Sequence, residues 1–324
     1  MVRKYTSLAL TGDQKSRIKA LCERNNHRGL VSIVLDYVWI LAGCLLSLEV
    51  QPLLYPLSVL IIGARQRALA SLFHDGSHGT LFRSKALNRV VSRVFCGWPI
   101  MQSMFAYRQS HVILHHSHLG DANHDPDYRE LLGAGIYETQ RGPDFFRRFI
   151  LSAIYGRFTL RYIKSLILSR LSFSVRPNES QAESFLILAF HASMAVIAYS
   201  QGWLANLMFF WWIPLILVFP VIGWFSELSE HYPFMDASSE WCFGARNRYS
   251  CWVERLFIGM HGDSFHLTHH LLPGIPHWNL AAATRILRAD NAFSEWDDKW
   301  GGIFSSDQSG RVTFVDFVRA PQTP

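Results

Sequence analysis

Thiolate chemistry has little to work with in this chain. Its five cysteines, Cys22, Cys44, Cys96, Cys242 and Cys251, are odd in number and scattered, and none forms a C-x-x-C pair. That pattern excludes a disulfide framework and a thiolate zinc site and fits a reducing compartment. Charge is also scarce, with Asp, Glu, Lys and Arg making up 17% of the residues. The net charge of +6 comes from basic residues set between long apolar stretches, not from a clustered basic face, so nucleic acid is excluded as a partner. There is no H-E-x-x-H zinc-protease motif, no haem, flavin or iron–sulfur signature, no internal repeat and no low-complexity tract.

Apolar sequence and histidine are abundant. Hydrophobic residues make up 49% of the 324 positions, and eleven are tryptophan. Leu30–Val50 has about the 20 residues that a bilayer crossing needs, despite Asp36 and Glu49. Leu53–Phe73 is a second candidate span, apolar up to Ala64, with Arg65 and Arg67 near its end, where long side chains can snorkel or pair inside a bundle. Phe185–Ser200 and Leu204–Phe225 form a later hairpin across the short link Gln201-Gly202-Trp203. These four stretches predict an all-α integral membrane protein with two transmembrane hairpins and a helical cap.

The basic residues orient it. Seven fall in residues 1–29, sixteen in 65–181 and eight in 226–324, which is all 31, and neither short connection on the other side carries one. The positive-inside rule then puts both termini and the long middle segment in the cytoplasm, and the first span reads as an anchor and not as a cleaved signal. The predicted layout is a single domain over 1–324: a cytoplasmic segment 1–29, a hairpin 30–73, a cytoplasmic segment 74–182, a hairpin 183–225 and a cytoplasmic segment 226–324. Within 144–171, apolar and basic residues alternate at helical spacing (Phe146, Ile150, Ile154, Phe158; Ile163, Ile167, Leu171). This suggests a helix in the headgroup plane, with a buried cap helix as the competing reading.

Eleven of the fifteen histidines fall in three clusters on the predicted cytoplasmic side: HDGSH (His74, His78), HVILHHSHLGDANH (His111, His115, His116, His118, His124) and HGDSFHLTHH (His261, His266, His269, His270). Residues three and four apart share a helix face, so His74 with His78, His111 with His115, and His266 with His269 and His270 each aim imidazoles one way. A lone histidine is usually a surface or satisfied core group, and His27, His191 and His277 are read so. Three clusters beside membrane spans point to metal, because buried imidazoles without partners are costly. Eight or more histidines imply two metals, and imidazole alone does not choose among iron, copper, nickel and zinc.

These motifs resemble the integral-membrane fatty acid desaturase superfamily. HDGSH is similar to its H-x-x-x-H box, HVILHH to H-x-x-x-H-H, and HLTHH, followed by LLPGIP, to H-x-x-H-H. The resemblance covers 64–276 and rests on the order, spacing and topology of three boxes together. It implies a di-iron site in the cytoplasmic cap, with His74, His78, His111, His115, His116, His266, His269 and His270 as ligands of two ferrous ions and dioxygen as co-substrate. The family also implies a histidine between the last span and the third box, here His231. Some members place an asparagine four residues before it; this chain has Glu227, a candidate ligand or supporting group. Asp75, Asp125, Asp127 and Asp263 are candidate carboxylate partners of ligating rings, and His118, His124 and His261 are extra to the pattern, expected in support.

The resemblance further implies an oxidoreductase of lipid metabolism in the membrane, expected to be the bacterial inner membrane. The expected reaction introduces a double bond into a fatty-acyl lipid. Arginines just upstream of the first box resemble a bacterial branch that includes dihydrorhizobitoxine desaturase, so a small amino-acid-derived metabolite is the alternative substrate. Hydroxylation or carotenoid ketolation comes next, and a non-enzymatic haem or metal-transport protein is the reading from a different class. The electron donor is expected to be separate, a ferredoxin or similar carrier with its reductase, steered by the excess of Lys and Arg on the cytoplasmic side.

Overall fold

A computed structural model of the protein describes residues 8–165, 167, 178–236 and 243–321. Among the described residues every regular element is helical, apart from an isolated bridge between Trp300 and Val312. The chain divides into two compact units: Asn25–Arg108 with Gly156–Gly223, and Met1–Arg24 with Gln109–Tyr155 and Trp224–Pro324.

In the first unit, three stretches are long and apolar enough to cross a membrane: Arg28–Val50, Gln181–Ser200 and Leu204–His231, the last running past Gly223 into the second unit. They match three of the four expected spans, and the protein is a membrane protein. The remaining candidate, 53–73, lies on the helix Tyr55–His78. At 24 residues that helix is about 36 Å long, but it is less apolar than the other three because it buries Ser58, Arg65, Gln66 and Asp75. Arg65 pairs with the buried Asp36 at 3.4 Å, and its guanidinium lies 5.3 Å from the Trp39 ring centre. The helix ends just after His78 because Gly79 takes the left-handed conformation (φ 73°), which closes the last turn without a Cβ penalty.

Prolines shape the last span. Pro214 and Pro220 cannot donate to the turn before them, and the segment winds wide over Met208–Trp212 and breaks near Val218 before Phe219–His231. A buried acid joins the start of Asn178–Ser200 to the rest of this unit: Glu183 accepts from the Ser103 hydroxyl (2.7 Å) and the Phe105 amide (3.0 Å), and pairs with Arg93.

The second unit has a largely aromatic core of Phe234, Phe243, Phe293, Trp296 and Trp300 with the aliphatic Leu267, closed by the helices Gly12–Leu21, His277–Leu287 and Asn291–Asp298. The stretch expected as one amphipathic helix over 144–171 is instead broken. Pro143–Phe145, Phe146–Leu151 and Ser152–Ile154 follow one another, a turn at Gly156 (φ 78°) intervenes, and Thr159–Ser165 resumes. Wide winding over Phe146–Leu151 shifts the buried stripe to Phe145, Phe149, Ile150 and Ala153, leaving Ile154 56% exposed. The first half thus packs one face into its own unit; 166 and 168–171 lie outside the described residues. The four described cysteines are free, and Cys242 lies outside them.

Candidate metal centre

The second histidine box sits on Arg108–His115, which winds with more residues per turn than an α-helix. Such winding is uncommon and recurs at functional sites. Here it brings a fifth-neighbour histidine onto the face of the fourth: the His111 ring lies 5.0 Å from both His115 and His116. The third box forms the short α-helix His266–Leu271, on which His266 and His270 face each other at 4.6 Å. His231 ends the helix Phe219–His231, four residues after Glu227.

These elements converge within one unit. His231 lies 4.9 Å from His115, 4.7 Å from His266 and 5.1 Å from His270 between ring centres. The Nε2 atoms of His231 and His266 are 2.8 Å apart, those of His266 and His270 3.0 Å, and those of His116 and His269 3.2 Å. One ligand atom from each of His115, His231, His266 and His270 lies within 4.8 Å of the others, and the same holds for His111, His115 and Asp127. In the other unit, His74 and His78 face each other at 4.7 Å, as their four-residue spacing predicts, and Tyr107 stands 6.3 Å from His74.

Behind the rings are carboxylates and carbonyls. His115 Nδ1 is 2.9 Å from Asp125 Oδ1, and Asp127 lies 3.3 Å from His111 Nδ1 and 3.5 Å from His115 Nδ1. The Gly244 carbonyl is 3.2 Å from His231 Nδ1, and Glu230 is 3.4 Å from His266 Nδ1. The far nitrogen of His115, Nε2, is buried and has no hydrogen-bond partner. A ring held at Nδ1 by a carboxylate, with Nε2 open toward other imidazoles, has the donor set a metal ion requires. Burial opposes charge on His115, but Asp127 and Asp125 outweigh it and raise the imidazole to about 9. Burial and the surrounding rings of His116, His266, His115 and His231 push His270 well below its usual value. Burial raises the Asp125 carboxyl, yet His115 and the Gly120 and Tyr128 amides hold it below the usual range.

The other predicted positions divide. Asp75 lies 3.8 Å from His74 Nδ1, a looser contact than that of Asp125 with His115. Asp263, expected beside a ligating ring, pairs with Arg248 at 2.7 Å, where that buried guanidinium needs its charge met. His118 bonds the Leu114 carbonyl, His124 pairs with Asp121, and His261 stands against His277, so none of these three is in the clusters above. His191 is a satisfied core group between the Trp98 carbonyl and the Trp212 indole. Glu230 and Arg248 are the residues that sequence reasoning missed. Glu230 adjoins His231 and joins Arg248 (2.7 Å) to the third box through His266. An acid next to a box-like histidine was the available signal.

Such a set of buried, carboxylate-backed imidazoles in a helical membrane protein has the ligand types and spacing that could hold metal ions. The comparisons with known proteins narrow the class. Residues 51–297 match the family model described as fatty acid desaturase. The chain is 36% identical over 297 residues to dihydrorhizobitoxine desaturase of Bradyrhizobium elkanii, covering 90% of this chain and 84% of that one. It is 26% identical over 247 residues to an sn-1 acyl-lipid omega-3 desaturase (ferredoxin) of Synechocystis, covering 72% and 67%, and 22% identical over 303 residues to an sn-1 oleoyl-lipid 12-desaturase of Anabaena variabilis, covering 89% and 81%. The chain belongs to the fatty acid desaturase family and is an oxidoreductase. Membership sets aside the non-enzymatic haem or transport reading.

Proposed function

We propose that the protein is a di-iron, dioxygen-dependent membrane desaturase whose nine histidines, His74, His78, His111, His115, His116, His231, His266, His269 and His270, hold two ferrous ions. The observation that carries this reading is the convergence of second-box, third-box and last-span imidazoles with carboxylates on their far nitrogens, in a chain of this family. When bound, the irons supply the reduction of dioxygen and the removal of hydrogen from unactivated C–H bonds. The protein's part is to position ligands: Asp125 keeps the His115 proton at Nδ1, and Asp127, Glu230 and the Gly244 carbonyl do the same for His111, His266 and His231. Asp75, His118, His124 and His261 support the site from outside the ligand set.

The substrate is a fatty-acyl lipid, a reading supported by the family and by two acyl-lipid relatives. One observation favours a second reading: identity to dihydrorhizobitoxine desaturase is 36% over 90% of the chain, against 26% and 22% for the acyl-lipid relatives. On that reading the substrate is a small amino-acid-derived metabolite. The name of the Synechocystis relative includes ferredoxin, which supports a separate ferredoxin and reductase as electron source. The distribution of Lys and Arg supports four spans in two hairpins, with both termini and the metal-bearing cap in the cytoplasm of a bacterial inner membrane. All 324 residues make one functional domain.

The test is mass spectrometry of lipids and polar metabolites from a host co-expressing the protein with ferredoxin and its reductase. Loss of two hydrogens from an acyl chain supports the first substrate and the same loss from an amino-acid metabolite the second; gain of one oxygen makes the enzyme a hydroxylase. His269→Ala is expected to abolish product and lower bound iron while still inserting. Full activity in that variant sinks the site assignment.

A further inference from the structure

Most carboxylates around the converging histidines have their oxygens engaged. Asp125 accepts from the Gly120, Asp127 and Tyr128 amides and holds His115. Asp127 faces the Nδ1 atoms of His111 and His115. Glu230 and Asp263 share Arg248. Glu227 differs. It lies one helical turn before His231 on Phe219–His231, so both side chains leave the same face. Its Oε1 is buried without a hydrogen-bond partner, and its carboxylate is within electrostatic reach of His115, Asp127, Glu230 and Asp125. Leaving a carboxylate oxygen buried and unbonded is costly unless something cationic meets it. The converging rings are neutral as ligands and bring no charge to offset a divalent ion in a buried site.

We propose that Glu227 supplies a carboxylate oxygen to the metal held by His115, His231, His266 and His270, giving that metal a mixed imidazole–carboxylate shell. The inference rests on the di-iron reading above. It accounts for the unbonded oxygen with one contact, and it distinguishes this metal from a partner ion ligated by imidazole alone.

The experiment loads full-length protein in detergent with ferrous iron under anaerobic conditions and measures iron per chain and the Mössbauer spectrum. Wild type is expected to bind two irons. In Glu227→Gln, affinity for one of them falls by more than the roughly 10- to 100-fold that loss of a group behind a ligand costs, and one quadrupole doublet changes while the other stays. Glu227→Asp, which keeps the charge on a shorter arm, is expected to retain most of the affinity with a shifted doublet. Unchanged iron binding and an unchanged spectrum in the Gln variant overturn the proposal. If the Gln variant does not fold, the Asp variant decides, and an unaltered spectrum there overturns it equally. Two irons in wild type with no effect of either variant defeats Glu227 alone, whereas no iron in wild type defeats the di-iron reading beneath it.

Discussion

Along Arg28–Val50 and Gln181–Ser200 the outward side chains are apolar: Leu35, Leu41, Phe185 and Val196 are more than half exposed, while Asp36, Arg65 and Gln66 are buried in the same unit. Around Phe234, Phe293 and Trp296 the pattern reverses, with aromatic side chains inside and a network of Asn247, Tyr249, Arg288 and Asp297 tying the loops together. The first arrangement is stable where lipid is the solvent, because exposed leucine costs nothing there and every polar group needs an internal partner. The second is held by apolar burial around an aromatic interior. The metal-ligand candidates with carboxylate support belong to the second kind of unit, where several buried ion pairs are already balanced.

The largest way to break this contrast is to unbalance the polar interior of the lipid-type unit. Arg65→Leu removes the cation 3.4 Å from the buried Asp36 and is expected to cost up to about 3–5 kcal/mol, while the double substitution with Asp36→Leu recovers most of the loss. Thermal unfolding of detergent-solubilised protein measures both. A harmless Arg65→Leu would mean the pair at 3.4 Å carries no structural weight. Next in size is a charge on the apolar exterior. Leu41→Lys, at a side chain 57% exposed near the middle of its span, is expected to cost about 2.5–3.5 kcal/mol of insertion free energy. The same charge at exposed Gln308, in the other unit, stays within about 0.5 kcal/mol. A membrane-insertion assay and thermal melts compare the two, and equal effects would remove the distinction between the units.

How far this organisation was legible in the sequence depended on which interactions were local. The two four-residue pairs His74–His78 and His266–His270 face as spacing predicts, because each stands on a regular helix. His116 beside His111 was not derivable from helical spacing, since the wide winding of Arg108–His115 adds a residue to the turn and an α-helical register would have turned His116 away. Three spans emerged from apolar length alone, whereas the helix Tyr55–His78 hides its polar residues against neighbours that a linear pattern does not reveal. The pairing of Asp263 was hidden for a similar reason: its three-residue distance from His266 suggested a ring partner, and the ion pair with Arg248, fifteen positions earlier, appears only once the chain is folded. Glu230 was missed because adjacency to His231 on a helix normally sends a side chain to a different face, and only the approach of the third box brings His266 to it.

The smallest effect on the fold, with a large one on the site, is expected at Asp125. Besides accepting from the Gly120 amide at 2.9 Å, this carboxylate has two jobs: it caps Pro126–Gly133 by accepting from the Asp127 and Tyr128 amides, and it holds His115 through Nδ1 at 2.9 Å. Asparagine caps a helix about as well as aspartate, so Asp125→Asn keeps the first job and removes the charge needed for the second. Its melting temperature without metal is expected to stay near wild type, with a stability loss under about 1 kcal/mol, while iron affinity falls about 10- to 100-fold. Asp125→Ala loses both jobs, adding a cap penalty of about 1 kcal/mol. Asp75→Asn provides the counterpart in the other unit, where the carboxylate stands 3.8 Å from His74, and a smaller loss of affinity is expected. Iron titrations and melts of the three variants separate capping from ligand support. If Asp125→Asn binds iron as wild type does, the carboxylate behind His115 is a cap and nothing more, and the contrast between the two units' histidines loses its chemical basis.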